Sequence, residues 1–399
     1  MKTIALFTLL LALNLNAQNL EEILGALKES KKVKVILEKT KSEIAQNEMS
    51  TSYEAPELGL GVAQIEDSVE NGVEYSIEFT QNILHPFSSS KKQKGIDLLG
   101  ASINQELKHK IHVLELDAIL RYHKTCVSKE MQEKAEVLYA KQNNRYQQIK
   151  KAYDLGEISK KNLLFNKLDL LKLKQRQSGY KNIYLMELLN LQEAIDNLSI
   201  TSVSCNDLFE LKEDIELFNI SEHSELKKVE YQKRSTRALY DVYDSTFQSI
   251  GYGVGFEQEL DAQRFSISLN IPLNSLSSQN EKQKAQYLHM NSAYNVEKDS
   301  LQKQIESRTN LLQLNVKSLY NRYSTLYTEI LPLNLELANL SKLAYSEGEG
   351  TIMEYLDATR SYSENLLEML EIKKNYYVEL FKLYKEADIK LGENYDKNH

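Results

Sequence analysis

One local pattern occurs twice in this chain. Ala152-Tyr153-Asp154-Leu155-Gly156-Glu157 recurs as Ala344-Tyr345-Ser346-Glu347-Gly348-Glu349, with Tyr153 and Tyr345 192 residues apart. Each copy falls midway in a long helical stretch, and each stretch follows two short runs in which large apolar residues alternate with small or polar ones. A period this long marks one supersecondary unit used twice, here strand–strand–helix–turn–helix. The expected fold is mainly α with a small β part.

In the first unit Leu58, Leu60 and Val62 alternate with Glu57, Gly59, Gly61 and Ala63. After a turn containing Asn71-Gly72, Val73, Tyr75, Ile77 and Phe79 alternate with Glu74, Ser76, Glu78 and Thr80. Asn-Gly between two such runs is a hairpin signal. In the second unit Ile250, Tyr252, Val254 and Phe256 alternate with Gly251, Gly253, Gly255 and Glu257. After a turn near Asp261, Phe265, Ile267, Leu269 and Ile271 alternate with Ser266, Ser268 and Asn270. A period of two puts every large apolar side chain on one face. That face fits lipid, and the small, polar opposite face fits a water-filled lumen. Four short strands cannot close a barrel, and an open edge in lipid would leave its amides unsatisfied. Strands of this kind in a membrane require several chains to share one barrel. The alternative is a soluble β-sandwich whose apolar faces pack together.

Helix starts are indicated by Ser90 with Gln93 and by Ser278 with Glu281, both at capping-box spacing. Gly156 and Gly348 sit where helices end, with Ser159 and Thr351 placed to cap the next ones. The expected organisation begins with a first repeat over 18–198. It holds an N-terminal helical segment, a β-hairpin at about 56–84 and a helical hairpin at about 90–198. An irregular linker at 199–222 follows. The second repeat, 223–391, holds a helix, a β-hairpin at about 248–273 and a helical hairpin at about 278–391, before a tail at 392–399. With only 4 Pro and 14 Gly in 399 residues, long uninterrupted helices should dominate.

The chain opens Met1-Lys2-Thr3, continues with an apolar run from Ile4 to Leu13, and reaches Ala17 through Asn14-Leu15-Asn16. This reads as a signal peptide over 1–17 cleaved after Ala17. No Cys lies near the cut, so a lipoprotein signal is not expected. Beyond it no run approaches the ~20 apolar residues of a membrane helix, in keeping with a mean hydropathy of -0.47. An exported chain of this kind stays periplasmic, is secreted, or enters the outer membrane as strands. A net charge of -8 and the lack of a basic stripe with interleaved aromatics argue against a nucleic-acid partner. Cys126 and Cys205 could bridge in an oxidising compartment, although free thiols are the commoner state of two such distant cysteines.

No catalytic constellation emerges, and no cofactor or metal is expected. His109 and His112, at i, i+3, could share a metal, but no Cys or third His is suitably placed in the sequence, and a solvated helix face explains the pair. Without a nucleophile–base pair or a Gly-rich phosphate loop, no reaction is assigned.

Taken in order, Leu331-Pro332, Leu335, Leu337-Ala338, Ala344-Tyr345, Gly348 and Leu356-Asp357-Ala358, echoed at Tyr153-Asp154-Leu155-Gly156, resemble the second-repeat pattern of the TolC-type outer-membrane efflux protein family. The resemblance covers nearly the whole mature chain. It implies a homotrimer in the cell outer membrane, with a twelve-stranded transmembrane β-barrel continuing as a long periplasmic α-helical barrel. It implies a passive exit duct of a tripartite efflux or secretion system, docked on an inner-membrane pump through a periplasmic adaptor. It places an entrance constriction at Glu354, Asp357 and Tyr345, where threefold carboxylate rings would attract cations. Thr351 with Glu354 also fits a capping box, and Asp357 lies near a helix N-terminus. The resemblance puts adaptor-contacting tips at Leu155, Gly156, Glu157, Gly348, Glu349 and Gly350.

Two positions depart from the family. Gly350 stands where some members carry Arg, and Asn162 stands where the first repeat carries an acid. A closed-state lock of Arg–acid and Tyr hydrogen bonds would lack its ionic half, so a weaker or differently built gate is expected. The rival function is a soluble periplasmic coiled-coil adaptor or scaffold. Such adaptors have one helical hairpin, with lipoyl-like and barrel domains richer in Gly and Pro.

Overall fold

The computed structural model describes residues 17–66, 71–216, 220–245, 247–273 and 276–391. The expected leader, apart from Ala17, and the expected tail at 392–399 lie outside them. The chain runs α1 (Leu20–Glu29), α2 (Lys31–Met49), β1 (Glu57–Glu66), β2 (Asn71–Leu84), α3 (Pro86–Asp154) and α4 (Lys160–Ala194). It continues with α5 (Ser224–Tyr243), β3 (Ser249–Gln258), β4 (Gln263–Asn270), α6 (Ser278–Thr325), a π-helical turn (Leu326–Ile330), α7 (Leu331–Glu347) and α8 (Ile352–Glu386).

The strands form one antiparallel sheet in the order β1-β2-β3-β4. The central β2–β3 pairing, Ile77 opposite Phe256, joins the hairpins of the two repeats edge to edge. Apolar residues meet in rows across all four strands: Leu58–Phe79–Val254–Ile267, then Leu60–Ile77–Phe256–Phe265. Cross-strand neighbours of this kind are what stabilises a sheet face. The outer edges of β1 and β4 pair with no other strand among the described residues.

Three local expectations are corrected. Asn71 and Gly72 are not the turn: they pair with Glu66 and Ile65 and lengthen β2, so the connection falls at 67–70, outside the described residues. Helix α3 starts at Pro86 rather than Ser90. Proline presets φ at the first helical position, and the Ser89 N–H already donates to the His85 carbonyl at 2.8 Å. Ser278 is itself the first residue of α6 rather than its cap, and the Ser277 carbonyl accepts from the Glu281 N–H at 3.3 Å. In both helices a local serine signal gives way to an earlier start, by one residue in α6 and by several in α3.

The described residues group into two compact units, each drawing on both repeats. One, from Val35–Lys110 and Asn219–Glu306, holds the sheet. The other, from Met1–Lys34, Ile111–Phe218 and Ser307–His399, is built on α-helices. Its core includes Leu116, Tyr122, Leu191, Tyr376, Tyr377 and Phe381, all fully buried. Against these lies an irregular segment at 195–216, whose backbone groups are satisfied largely by helix side chains. The Tyr122 hydroxyl donates to the Ser204 carbonyl, the Lys129 ammonium to that of Val203 at 3.2 Å, and the Tyr376 hydroxyl to that of Lys212 at 2.9 Å. Tyr122, Cys126 and Lys129 are spaced i, i+4, i+7 and so share one face of α3. That places Cys126 beside the segment, and it is bonded to Cys205 with Cα atoms 5.5 Å apart. Free thiols, the commoner state expected from sequence, are not what the fold contains.

Candidate functional site: helical tips and sheet faces

The repeated hexapeptide has one structural meaning in both places. Gly156 and Gly348 adopt φ of 79° and 78°, a left-handed conformation that only glycine takes without steric cost. The Glu157 N–H donates to the Ala152 carbonyl and the Glu349 N–H to that of Ala344, each at 2.9 Å. The glycine N–H groups reach the Tyr153 and Tyr345 carbonyls at 2.9 and 3.3 Å. These are the paired bonds of a Schellman ending, which satisfies carbonyls the helix leaves open. Ser159 and Thr351 then cap α4 and α8 through bonds from the Asn162 and Glu354 N–H groups.

The two tips pack together within one unit. Ile149, Ile352 and Leu356 form a buried cluster, with Ile158, Leu163, Met353 and Tyr355 against it. Tyr345 stacks on Tyr355 with ring centres 6.5 Å apart, and the Arg145 guanidinium lies over the Tyr355 ring, 4.7 Å from its centre. Leu155 is exposed at the first tip, as are Glu157 and Glu349; Gly350 is half-buried, and a Cβ there would meet the Ala344 methyl at 3.0 Å.

The acids of the second tip are engaged locally. The Glu354 carboxylate accepts from the Thr351 N–H at 2.8 Å, completing a capping box. That backbone bond, and then the Thr351 hydroxyl, hold the Glu354 carboxyl below its ordinary range. Asp357 pairs with Arg360 at 3.0 Å, and the same guanidinium reaches Asp169 on α4 at 3.2 Å. Sequence reasoning missed both partners. Arg360 was findable, standing three residues after Asp357 on one helix, a spacing at which side chains meet. Asp169 was not, because only packing brings α4 beside α8.

The sheet presents two unlike faces. Of the apolar residues, Leu58, Leu60, Val62, Val73, Tyr75, Ile77, Phe79, Tyr252, Val254, Phe265, Ile267, Leu269 and Ile271 are exposed, from 39% at Phe79 to 88% at Ile267. Ile250 and Phe256 are half-buried, and Ile271 stands one residue past β4. A sandwich would have hidden this face, and among the described residues nothing covers it. The opposite face carries mainly Gly, Ser, Thr and Glu, with Arg264 and Asn270 on β4.

Histidine placement adds one imidazole to the pair read from sequence. His223 comes within 6.2 Å of His109, ring centre to ring centre, with Glu225 3.9 Å from His109. Among the described residues, no group of three His, Cys, Asp or Glu could hold a metal ion. No helix among them is long and apolar enough to cross a membrane.

No protein-family model matches the sequence, and neither does any curated protein. Solved structures match closely in fold. A membrane protein from Pseudomonas aeruginosa is similar with a TM-score of 0.77 at 10% identity, over 92% of each chain. The outer membrane protein VceC from Vibrio cholerae gives 0.75 at 10% identity, over 92% of this chain and 95% of that one. The Campylobacter jejuni CmeC outer membrane channel gives 0.71 at 13% identity, over 96% and 89%. The fold of this chain is therefore that of the TolC-type outer-membrane channels.

Proposed function

We propose that the protein is the outer-membrane exit duct of a tripartite efflux or secretion system, a homotrimer whose three sheets close one twelve-stranded barrel. The observation that carries this is a four-stranded sheet whose two outer edges pair with no strand among the described residues and whose one apolar face is exposed. In lipid such a sheet must close on copies of itself. Strands of 10, 14, 10 and 8 residues are close to the 9–11 that cross an outer membrane. Exposed leucines on α4 (Leu164, Leu168, Leu171) and α7 (Leu333, Leu337, Leu340) supply further faces for neighbouring copies. The similarity in fold to outer-membrane channels supports the same reading. The duct is passive, with no reaction and no cofactor. Its tips, Leu155-Gly156-Glu157 and Gly348-Glu349-Gly350, meet a periplasmic adaptor that links it to an inner-membrane pump. The leader sends the chain to the periplasm.

The test is fractionation of an expressing Gram-negative cell and mass determination of the detergent-solubilised species. Three chains of the 46.0 kDa precursor, each less its leader, give a trimer of roughly 130–140 kDa in the outer membrane. A soluble periplasmic species would instead favour the adaptor or scaffold reading.

Glu354, Asp357 and Tyr345 then border the entrance, and Arg360 supplies the ionic tie that Gly350 does not. It joins α8 to α4 through a carboxylate, Asp169, whose side chain is only 14% exposed. Removing the cation leaves Asp169 and Asp357 mutually repelling, one of them poorly solvated. Arg360→Ala should therefore raise single-channel conductance in planar bilayers several-fold. An unchanged conductance would show that the tie does not hold the entrance shut.

A further inference from the structure

Charge is sorted between the sheet faces as completely as bulk is. Rows on the small-residue face run Glu57–Thr80–Gly253–Ser268, Gly59–Glu78–Gly255–Ser266, Gly61–Ser76–Glu257–Arg264 and Ala63–Glu74. Each row holds one glutamate, and successive rows are two residues apart, about 7 Å along a strand. Within the four strands the apolar face carries a single charge, Glu66, at the end of β1. The four glutamates are thus spread down the strands, one level at a time.

Their surroundings leave them uncompensated. Among the described residues none of the four has an ion-pair partner. Arg264, the one cation on this face, is drawn to Glu259 in the β3–β4 loop at 2.9 Å. Glu78 is flanked by Gly59 and Gly255, so no neighbouring side chain in those positions covers it. A side chain at Gly255 would collide with the Ser266 hydroxyl, its Cβ falling 2.6 Å away. The acids of the helical tip differ: Glu354 is spent on a cap and Asp357 on Arg360.

We infer that the glutamate rows of the sheet set the charge preference of the duct, so that it favours cations over anions along its strand-walled part. The inference rests on the exit-duct reading, which turns the small-residue face into the lumen and makes each row a ring of three carboxylates. Rings about 7 Å apart lie within the ~8 Å Debye length of physiological salt, so their potentials overlap. Low-dielectric walls focus that potential on the aqueous path. Arg264 works against it at one level.

The experiment is the reversal potential of the purified full chain in planar bilayers under a KCl gradient. The wild type should pass K+ several-fold better than Cl−. Glu78→Gln with Glu257→Gln should bring the ratio towards one, and Arg264→Gln should raise it. The single Arg264→Gln variant, with an effect of opposite sign, keeps the test alive if the double variant does not assemble. A conducting wild type with no cation preference, or a ratio that neither variant moves, would overturn the inference and leave the duct standing. A wild type that never conducts would remove the duct reading itself.

Discussion

Ile267→Arg is expected to keep the protein out of the outer membrane altogether. Ile267 is 88% exposed and stands mid-strand in the row Leu58–Phe79–Val254–Ile267. If that row faces hydrocarbon, an arginine near the bilayer midplane costs roughly 2–4 kcal/mol per chain. Threefold closure multiplies it to roughly 6–12 kcal/mol per barrel, comparable with the whole stability of a domain, about 5–15 kcal/mol. A trimer cannot absorb that by moving one side chain. In a soluble fold the same substitution at an exposed position would change stability by no more than about 0.5 kcal/mol. The two environments therefore give opposite outcomes. Ser266→Arg is the matched control, one residue earlier and on the opposite face, where an added charge meets water. Membrane fractionation should find the Ser266 variant in the outer membrane and the Ile267 variant absent from it. Equal recovery of both would mean that the apolar face does not meet lipid.

What could be read directly in the sequence is what depends on short periods and local chemistry. Alternation at Tyr252, Val254 and Phe256 is a property of neighbours in the chain, and the ladder keeps it. The glycines at 156 and 348 announce helix ends because no other residue takes that backbone cheaply, and both are left-handed. Positions that depend on a partner from elsewhere were harder. Asn71-Gly72 has turn chemistry, yet pairing with Ile65 and Glu66 holds it in the ladder. Pro86 was legible as punctuation but not as the first residue of α3. The acids of the second tip were visible while their cation was overlooked, and Asp169 joins them only through packing of α4 on α8. The order β1-β2-β3-β4, which places Glu78 between two glycines, likewise needs β2 to find β3 across more than 150 residues.

Replacing Cys126 and Cys205 by Ser should release the segment at 195–216 while leaving the sheet intact. The bridge closes a loop with a sequence separation of 79 residues. Closing a loop of that length restricts the unfolded chain by about 4.5 kcal/mol on the entropic account. Without it the segment is held by the burial of Ile195, Ile200 and Val203 and by hydrogen bonds, each worth only about 0.5–1.5 kcal/mol net. One of these depends on protonation state. His123 accepts from the Phe209 N–H at 3.0 Å while its other ring nitrogen donates to the Ile119 carbonyl at 2.8 Å. Burial keeps its pKa down at about 3, against the bond to Ile119, which favours the charged form. The folded pKa thus lies below the unfolded value of about 6.5. Protons therefore bind preferentially to the unfolded chain, and this contribution is complete above pH 6.5 and eroded from there down to about pH 3. Lost disulfide and lowered pH act on the same contacts. Amide hydrogen exchange across 195–216 should be faster in the double-serine variant at pH 7, and in both proteins the local stability of the segment should be lower at pH 5 than at pH 7. Equal protection of the segment in both proteins would mean that the helix side chains hold it unaided and that the bridge is dispensable to the fold.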